Sequence, residues 1–144
     1  MSASATAQVL SGANLIAGRW SAAGETTFRS TDPRSGTSGE VPFHEATPDE
    51  VAEAARAAAE ASTRLRWAEP AVIAGLLGRV ADGLEGVSPE LVAIGDAETG
   101  LGEQRLETEL GRTTGQLRAF ADMVVAGWDR EPIIDHADGE TRPD

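Results

Sequence analysis

The side chains able to do chemistry in this sequence are carboxylates, arginines, hydroxyls and two histidines; cysteine, lysine and tyrosine are absent. Their absence excludes a thiolate nucleophile, a disulfide, a Cys-ligated metal, Schiff-base chemistry and the lysine of a phosphate-binding loop. The carboxylates Asp96 and Glu98, and likewise Glu107 and Glu109, stand two residues apart. Residues two apart on a helix do not face each other, so neither pair suits general acid/base work. His44 and His136 have no partner at metal-ligand spacing and read as solvated loop histidines. Gly100-Leu101-Gly102 carries Arg105 where a dinucleotide fingerprint needs a third glycine, and it falls between helical stretches. It is therefore no cofactor loop. Trp20, Trp67 and Trp128 are too scattered for a stacking platform and read as packing residues at junctions.

The 144 residues suffice for one domain with a modest core. The hydrophobic share is 40 % and the aromatic share 4 %. Much of the former is alanine, which favours helix but buries little area. A thin core implies helices that lean on something else. A net charge of −12 argues against nucleic acid and against an anionic membrane surface as partners. No apolar run approaches the roughly 18 residues of a spanning helix. Met1 to Leu10 lacks a basic stretch followed by an apolar block, so no signal peptide is expected and a cytoplasmic location is the expectation.

Punctuation along the chain predicts mostly α structure with short β elements at either end. Residues 1–13 are small, polar and expected to be disordered. Leu15 to Trp20 reads as one strand, with Thr26 to Ser30 as its hairpin partner. Asp32-Pro33-Arg34-Ser35-Gly36 is a turn. Thr47-Pro48-Asp49-Glu50 starts a helix with a hydroxyl cap, Pro at the first position and a capping-box carboxylate. Its stripe of Val51, Ala54, Ala55, Ala58 and Ala61 is expected to be buried. A second helix is expected from Pro70 to about Glu85, with Val72, Ile73, Leu76, Leu77, Val80 and Leu84 at helical spacing. Ser88 caps a third helix, to about Glu98, with Leu91, Val92 and Ile94 inward. A fourth runs from Glu103 to Ala126 and ends at Gly127, its packed side formed by Leu110, Thr113, Leu117 and Phe120. Ile133 to His136 and the Asp138-Gly139 turn read as half a hairpin.

Several of these segments, in this order, resemble aldehyde dehydrogenases: Ile16-Ala17-Gly18-Arg19-Trp20, Asp32 to Gly36, Thr47 to Val51, Arg56-Ala57-Ala58 and Ala97 to Gly100. The run from Glu109 to Ala121 is similar to the 2-oxoglutarate-semialdehyde (2,5-dioxopentanoate) dehydrogenase branch. The resemblance implies an NAD- or NADP-dependent parent, active on a carboxylate-bearing aldehyde and homo-oligomeric as a dimer or tetramer. It implies that residues 14–128 are the outer-helix part of an α/β cofactor domain without its nucleotide-binding sheet. Residues 129–144 would begin a truncated oligomerisation hairpin. No catalytic or cofactor-binding residue maps onto this chain, which alone is expected to bind no cofactor and to be inactive. Arg112, Gln116 and Phe120 are the implied substrate contacts. Arg112 and Gln116, four apart, share one helix face; pairing of Arg112 with Glu107 or Glu109 is the structural alternative. A stand-alone acidic helical module or pseudoenzyme is the competing reading for the chain as a whole.

Overall fold

Among the described residues a short hairpin comes first, where Asn14–Ile16 (β1) pairs antiparallel with Arg19–Ser21 (β2). The structure, a computed structural model, describes residues 11–127. The expected single strand from Leu15 to Trp20 is therefore two strands around a two-residue turn. Ala17 and Gly18 both adopt positive φ, at 49° and 80°, as a hairpin turn matched to strand twist requires. Thr27–Phe28 (β3) consequently pairs with Phe43–His44 (β4) rather than with the first strand. The Phe28 and Phe43 rings stack across that pair at 5.5 Å, a contact that adds to the area they bury.

Four helices follow: Pro48–Leu65 (α1), Pro70–Glu85 (α2), Ser88–Thr99 (α3) and Glu103–Ala126 (α4). The start of α1 is the capping box read from the sequence. The Glu50 amide donates to Thr47 Oγ1 at 3.3 Å, and Glu50 Oε2 accepts from the Thr47 amide at 2.8 Å. Two orphan amides are thus satisfied reciprocally. Ser88 does not cap α3: it lies inside the helix, Val87 takes the cap position, and no side chain bonds there. Pro89 follows within the first turn, where its missing N–H costs nothing.

The main helix contacts are α2 on α4 and α3 on α4, while α1 rests on β1. Ala81, fully buried, lets α2 approach α4 closely, and Val87 and Val92 fill the corner made with α3. On α4 the inner face is Leu106, Leu110, Thr114, Leu117, Ala121 and Val124, with Thr114 only 4 % exposed. Thr113 and Phe120, expected on the packed side, lie outside it. At about 100° per residue, the stripe centred on Leu110, Thr114 and Leu117 leaves both beyond its edge.

Three other burial expectations fail for one reason: in the described chain nothing packs tightly on the face in question. Val51, Ala54, Ala55 and Ala58 on α1 are exposed. Val72, Leu76 and Val80 on α2 are exposed although Ile73, Leu77 and Leu84 turn inward. Ile94 on α3 faces a groove rather than the core. Trp67, taken as a junction packer, is 83 % exposed at the α1–α2 corner, whereas Trp20 is half-buried. Trp128, His136 and the expected hairpin beyond Ile133 lie outside the described residues, as does most of the expected disordered start.

Candidate functional site

The fourth helix carries the residues that the sequence singled out. Arg112, Gln116 and Phe120 follow one another at steps of four and all three are exposed. They form a single stripe turned away from α2, with Arg112 and Gln116 opposite the packed face and Phe120 at its margin. Arg112 bonds its own helix: Nε and Nη2 approach Glu109 Oε2 at 3.0 and 2.9 Å. Of the two carboxylates considered for that pairing, Glu109 is the one engaged. With the arginine side chain 74 % exposed, the pair contributes little stability, and the guanidinium can exchange it for another carboxylate. A planar fork of donors, a neighbouring amide and an aromatic ring would suit a ligand with a carboxylate at one end and an apolar stem.

Position and tilt of this helix are held from two sides. Arg118, two residues beyond Gln116, reaches across to Asp82 at 3.1 Å and Glu85 at 2.6 Å on α2. At the other end, the amide of Gly102, the residue at the cap position of α4, donates to Asp96 Oδ1 at 2.8 Å. The same Asp96 oxygen accepts from Arg34 Nη2. The guanidinium first, and the Gly102 amide second, hold the Asp96 carboxyl below its ordinary range. Arg34 itself stands in the Asp32 turn, where the Asp32 carboxylate accepts from the Arg34 amide at 2.8 Å and from Ser35 Oγ at 2.7 Å. Sequence reading set Asp96 aside as an unsuitable acid pair with Glu98; its hold on the Gly102 amide was missed. The signal available was an Asp six residues ahead of a glycine that opens a helix.

The β side contains a second polar knot. Glu50 is 9 % exposed and accepts from Ser21 Oγ on β2 as well as from Thr47. Those hydroxyls and the Thr47 amide, Ser21 foremost, lower its pKa. His44, expected in a solvated loop, is half-buried on β4, with Nδ1 3.0 Å from the Gly24 carbonyl. The hairpin partner change that put Phe43–His44 into a strand explains the difference.

A groove of about 610 Å3 separates the Ser30–Phe43 ribbon from α3, with Val41, Phe43, Ile94 and Ala97 along its walls and Glu98 at its edge. No group of metal-ligating side chains occurs among the described residues. None of the described helices is long and apolar enough to cross a membrane. A dinucleotide does not fit the Gly100–Gly102 link: the Gly102 amide is already committed to Asp96, whose carboxylate would face the phosphates.

Comparison with known proteins supplies the remaining context. No protein-family model matches the chain. It is 38 % identical over 101 residues to the alpha-ketoglutaric semialdehyde dehydrogenase of Acinetobacter baylyi, covering 70 % of this chain and 19 % of that protein. It is 36 % identical over 139 residues to alpha-ketoglutaric semialdehyde dehydrogenase 2 of Azospirillum brasilense, covering 96 % of this chain and 26 % of the relative. The chain thus spans about a quarter or less of the length of these relatives. A crystal structure of an NAD-dependent benzaldehyde dehydrogenase from Corynebacterium glutamicum superposes with a TM-score of 0.71 at 19 % identity. That match covers 80 % of this chain and 25 % of the other. The mostly helical fold with its small two-stranded sheets is that of part of an aldehyde dehydrogenase.

Proposed function

From this kinship with aldehyde dehydrogenases in sequence and fold, we propose that the chain is one part of an enzyme oxidising a carboxylate-bearing semialdehyde. The substrate is 2-oxoglutarate semialdehyde, the product the corresponding acid, and the hydride acceptor NAD or NADP. The two semialdehyde dehydrogenase relatives support the substrate class. The nicotinamide cofactor is supported by the NAD-dependent structural neighbour. Residues 14–128 are the helical outer part of the cofactor domain, and residues 129–144 begin a hairpin for oligomerisation.

The observation that carries the reading is the outward stripe of Arg112, Gln116 and Phe120. Arg112 engages the distal carboxylate of the substrate, Gln116 adds a neutral donor and Phe120 lines the stem. In the complete enzyme, closure of other elements over this stripe excludes water and makes the guanidinium contact worth more than the exposed Glu109 pair. This chain supplies binding and orientation; with no thiol, and with Asp96 occupying the Gly102 amide of the one glycine-rich link between helices, it performs no oxidation alone.

The test is Arg112→Met in the complete enzyme, comparing a carboxylated aldehyde with an uncarboxylated one of similar length. Loss of a charged contact to substrate should cost about 2 kcal/mol, roughly a thirtyfold fall in kcat/KM, expressed in KM and confined to the carboxylated substrate. Equal losses on both substrates would assign Arg112 a structural role.

A further inference from the structure

The link between α3 and α4 is Gly100-Leu101-Gly102, and both glycines adopt positive φ, at 69° and 91°. Two glycines in three residues make a joint of low rotational cost, because neither carries a Cβ to restrict it. A helix hung on such a joint keeps its direction only if something else fixes the joint. Asp96 does this from one turn upstream. Its backbone carbonyl accepts from the Gly100 amide at 2.8 Å, and its Oδ1 accepts from the Gly102 amide at 2.8 Å. One residue therefore grips both glycines.

Asp96 is itself held. A carboxylate on a half-buried helix end has other rotamers open to it, and the one observed meets Gly102. Arg34 bonds the same oxygen, Oδ1, that accepts from Gly102, so its contact favours that rotamer. Among the described residues, Arg34–Asp96 is the only ion pair that joins the β part of the chain to α2, α3 and α4. Arg34 is in turn set by the turn it occupies. Asp32 fixes its amide, the Asp32 amide donates to the Thr37 carbonyl at 2.9 Å, and Pro33 and Arg34 lie against Gly100.

We infer that Gly100–Gly102 is a clamped hinge, with Asp96 as the clamp and Arg34 as the pin that holds the clamp shut from the β part. Arg34 and Asp96 are positioning residues: they set the start of α4 and through it the placement of the Arg112–Gln116–Phe120 stripe. The link to substrate rests on the proposed function; the hinge itself does not.

The pin predicts an effect at a distance. Arg34 makes no bond to Gly102, yet Arg34→Ala should speed exchange of the Gly102 amide proton by about fivefold or more in the 144-residue chain. Asp96→Ala should do so at least as strongly. Asp96→Asn, whose side-chain oxygen still accepts, should restore most of the protection. Amides in the middle of α2 serve as the internal reference and should be unchanged in all three variants. If Arg34→Ala leaves the Gly102 amide as protected as in the wild type while Asp96→Ala exposes it, the pin is absent and the inference is overturned. Should Arg34→Ala lose its helical signal altogether, Arg34→Lys replaces it. A lysine retains the charge but not the planar fork, so partial loss of Gly102 protection supports the pin and full protection refutes it. Because the readout is an amide and not turnover, its failure leaves the substrate reading standing, and failure of the Arg112→Met test leaves the hinge standing.

Discussion

The β part with α1 and the bundle of α2, α3 and α4 are built from opposite materials. In the former, position is fixed by polar side chains: Glu50 with Ser21 and Thr47, Arg19 with Glu53, Asp32 with its own turn. In the latter, apolar contact around Ala81, Val87 and Val92 carries most of the packing, with Arg118 and Asp96 as polar ties on α4 and more apolar surface than the helices cover. Each polar bond names its partner, so the first region can hold its geometry over a small area. Apolar contact is non-directional and proportional to area, so the bundle needs area, and Val72, Leu76 and Val80 show where it has not used what it has. On the proposed function, these are the surfaces that would meet further parts of the enzyme.

The strongest way to separate the two regions is Ala81→Asp. Ala81 is fully buried where α2 meets α4, so a carboxylate there is desolvated, and Arg118, the nearby basic side chain of α4, is already paired with Asp82 and Glu85. The cost should be roughly 3 kcal/mol or more, enough to undo packing in a bundle this thin. Circular dichroism should lose helix signal, while the amide resonances of β1, β2 and the first turns of α1 keep their dispersion. Simultaneous loss of both sets would show that the regions fold as one unit and that the contrast between them is one of composition alone.

Glu50 tests the other side. Its carboxyl is held below the ordinary value near 4.5, chiefly by Ser21 and then by Thr47, so the folded state favours the deprotonated form. Its contribution is complete above the unfolded-state pKa and is lost as pH falls through the lower folded-state pKa. Below about pH 4.5, the Ser21 amide and the indole N–H of Trp20 should shift in the wild-type chain. In Glu50→Gln they should begin displaced and stay flat. Asp32 and Asp96 are also depressed, but they sit away from β2; Glu53, paired with Arg19, is close by, so it is the flat profile of Glu50→Gln that assigns the shift to Glu50. An acid profile in the glutamine variant unchanged from the wild type would mean that a group other than Glu50 moves these probes.

The contrast also explains what could be read in advance. The start of α1 and the limits of α2 and α4 were legible because each has a local stop or start: Thr47 with Glu50, Pro70, Gly127. The capping box of α1 was legible for the same reason. Strand pairing was not, because Ala17-Gly18 lacks the Asn or Asp that advertises a two-residue turn, and the pairing of β3 with β4 spans a long loop. The inner face of α4 was misjudged by one residue. Thr113 and Thr114 are chemically alike, and only the close approach of α2 decides which is buried. Burial on α1 and on the outer face of α2 was expected from periodicity, which reports that a face is apolar and not what covers it. The Asp96 clamp was invisible because its partners, Arg34 and Gly102, are set by tertiary contact.

The smallest effect expected in this molecule is informative because of its size. Arg112 and Arg118 lie six residues apart on α4, and both pair with carboxylates. Arg118 spans two helices and meets two acids, so Arg118→Ala should destabilise the chain by up to about 1 kcal/mol. Arg112 reaches only Glu109 on its own helix, a surface pair worth about 0.3–0.5 kcal/mol at most. Alanine has the better helix propensity by a few tenths of a kcal/mol, so Arg112→Ala should come out near zero or slightly stabilising in urea denaturation. An arginine that contributes nothing to the fold, on a helix so firmly placed by Arg118 and the α2 contact, is free to serve a ligand. If Arg112→Ala instead destabilises as much as Arg118→Ala, Arg112 belongs with the structural arginines of the bundle and the carboxylate-binding role loses its support.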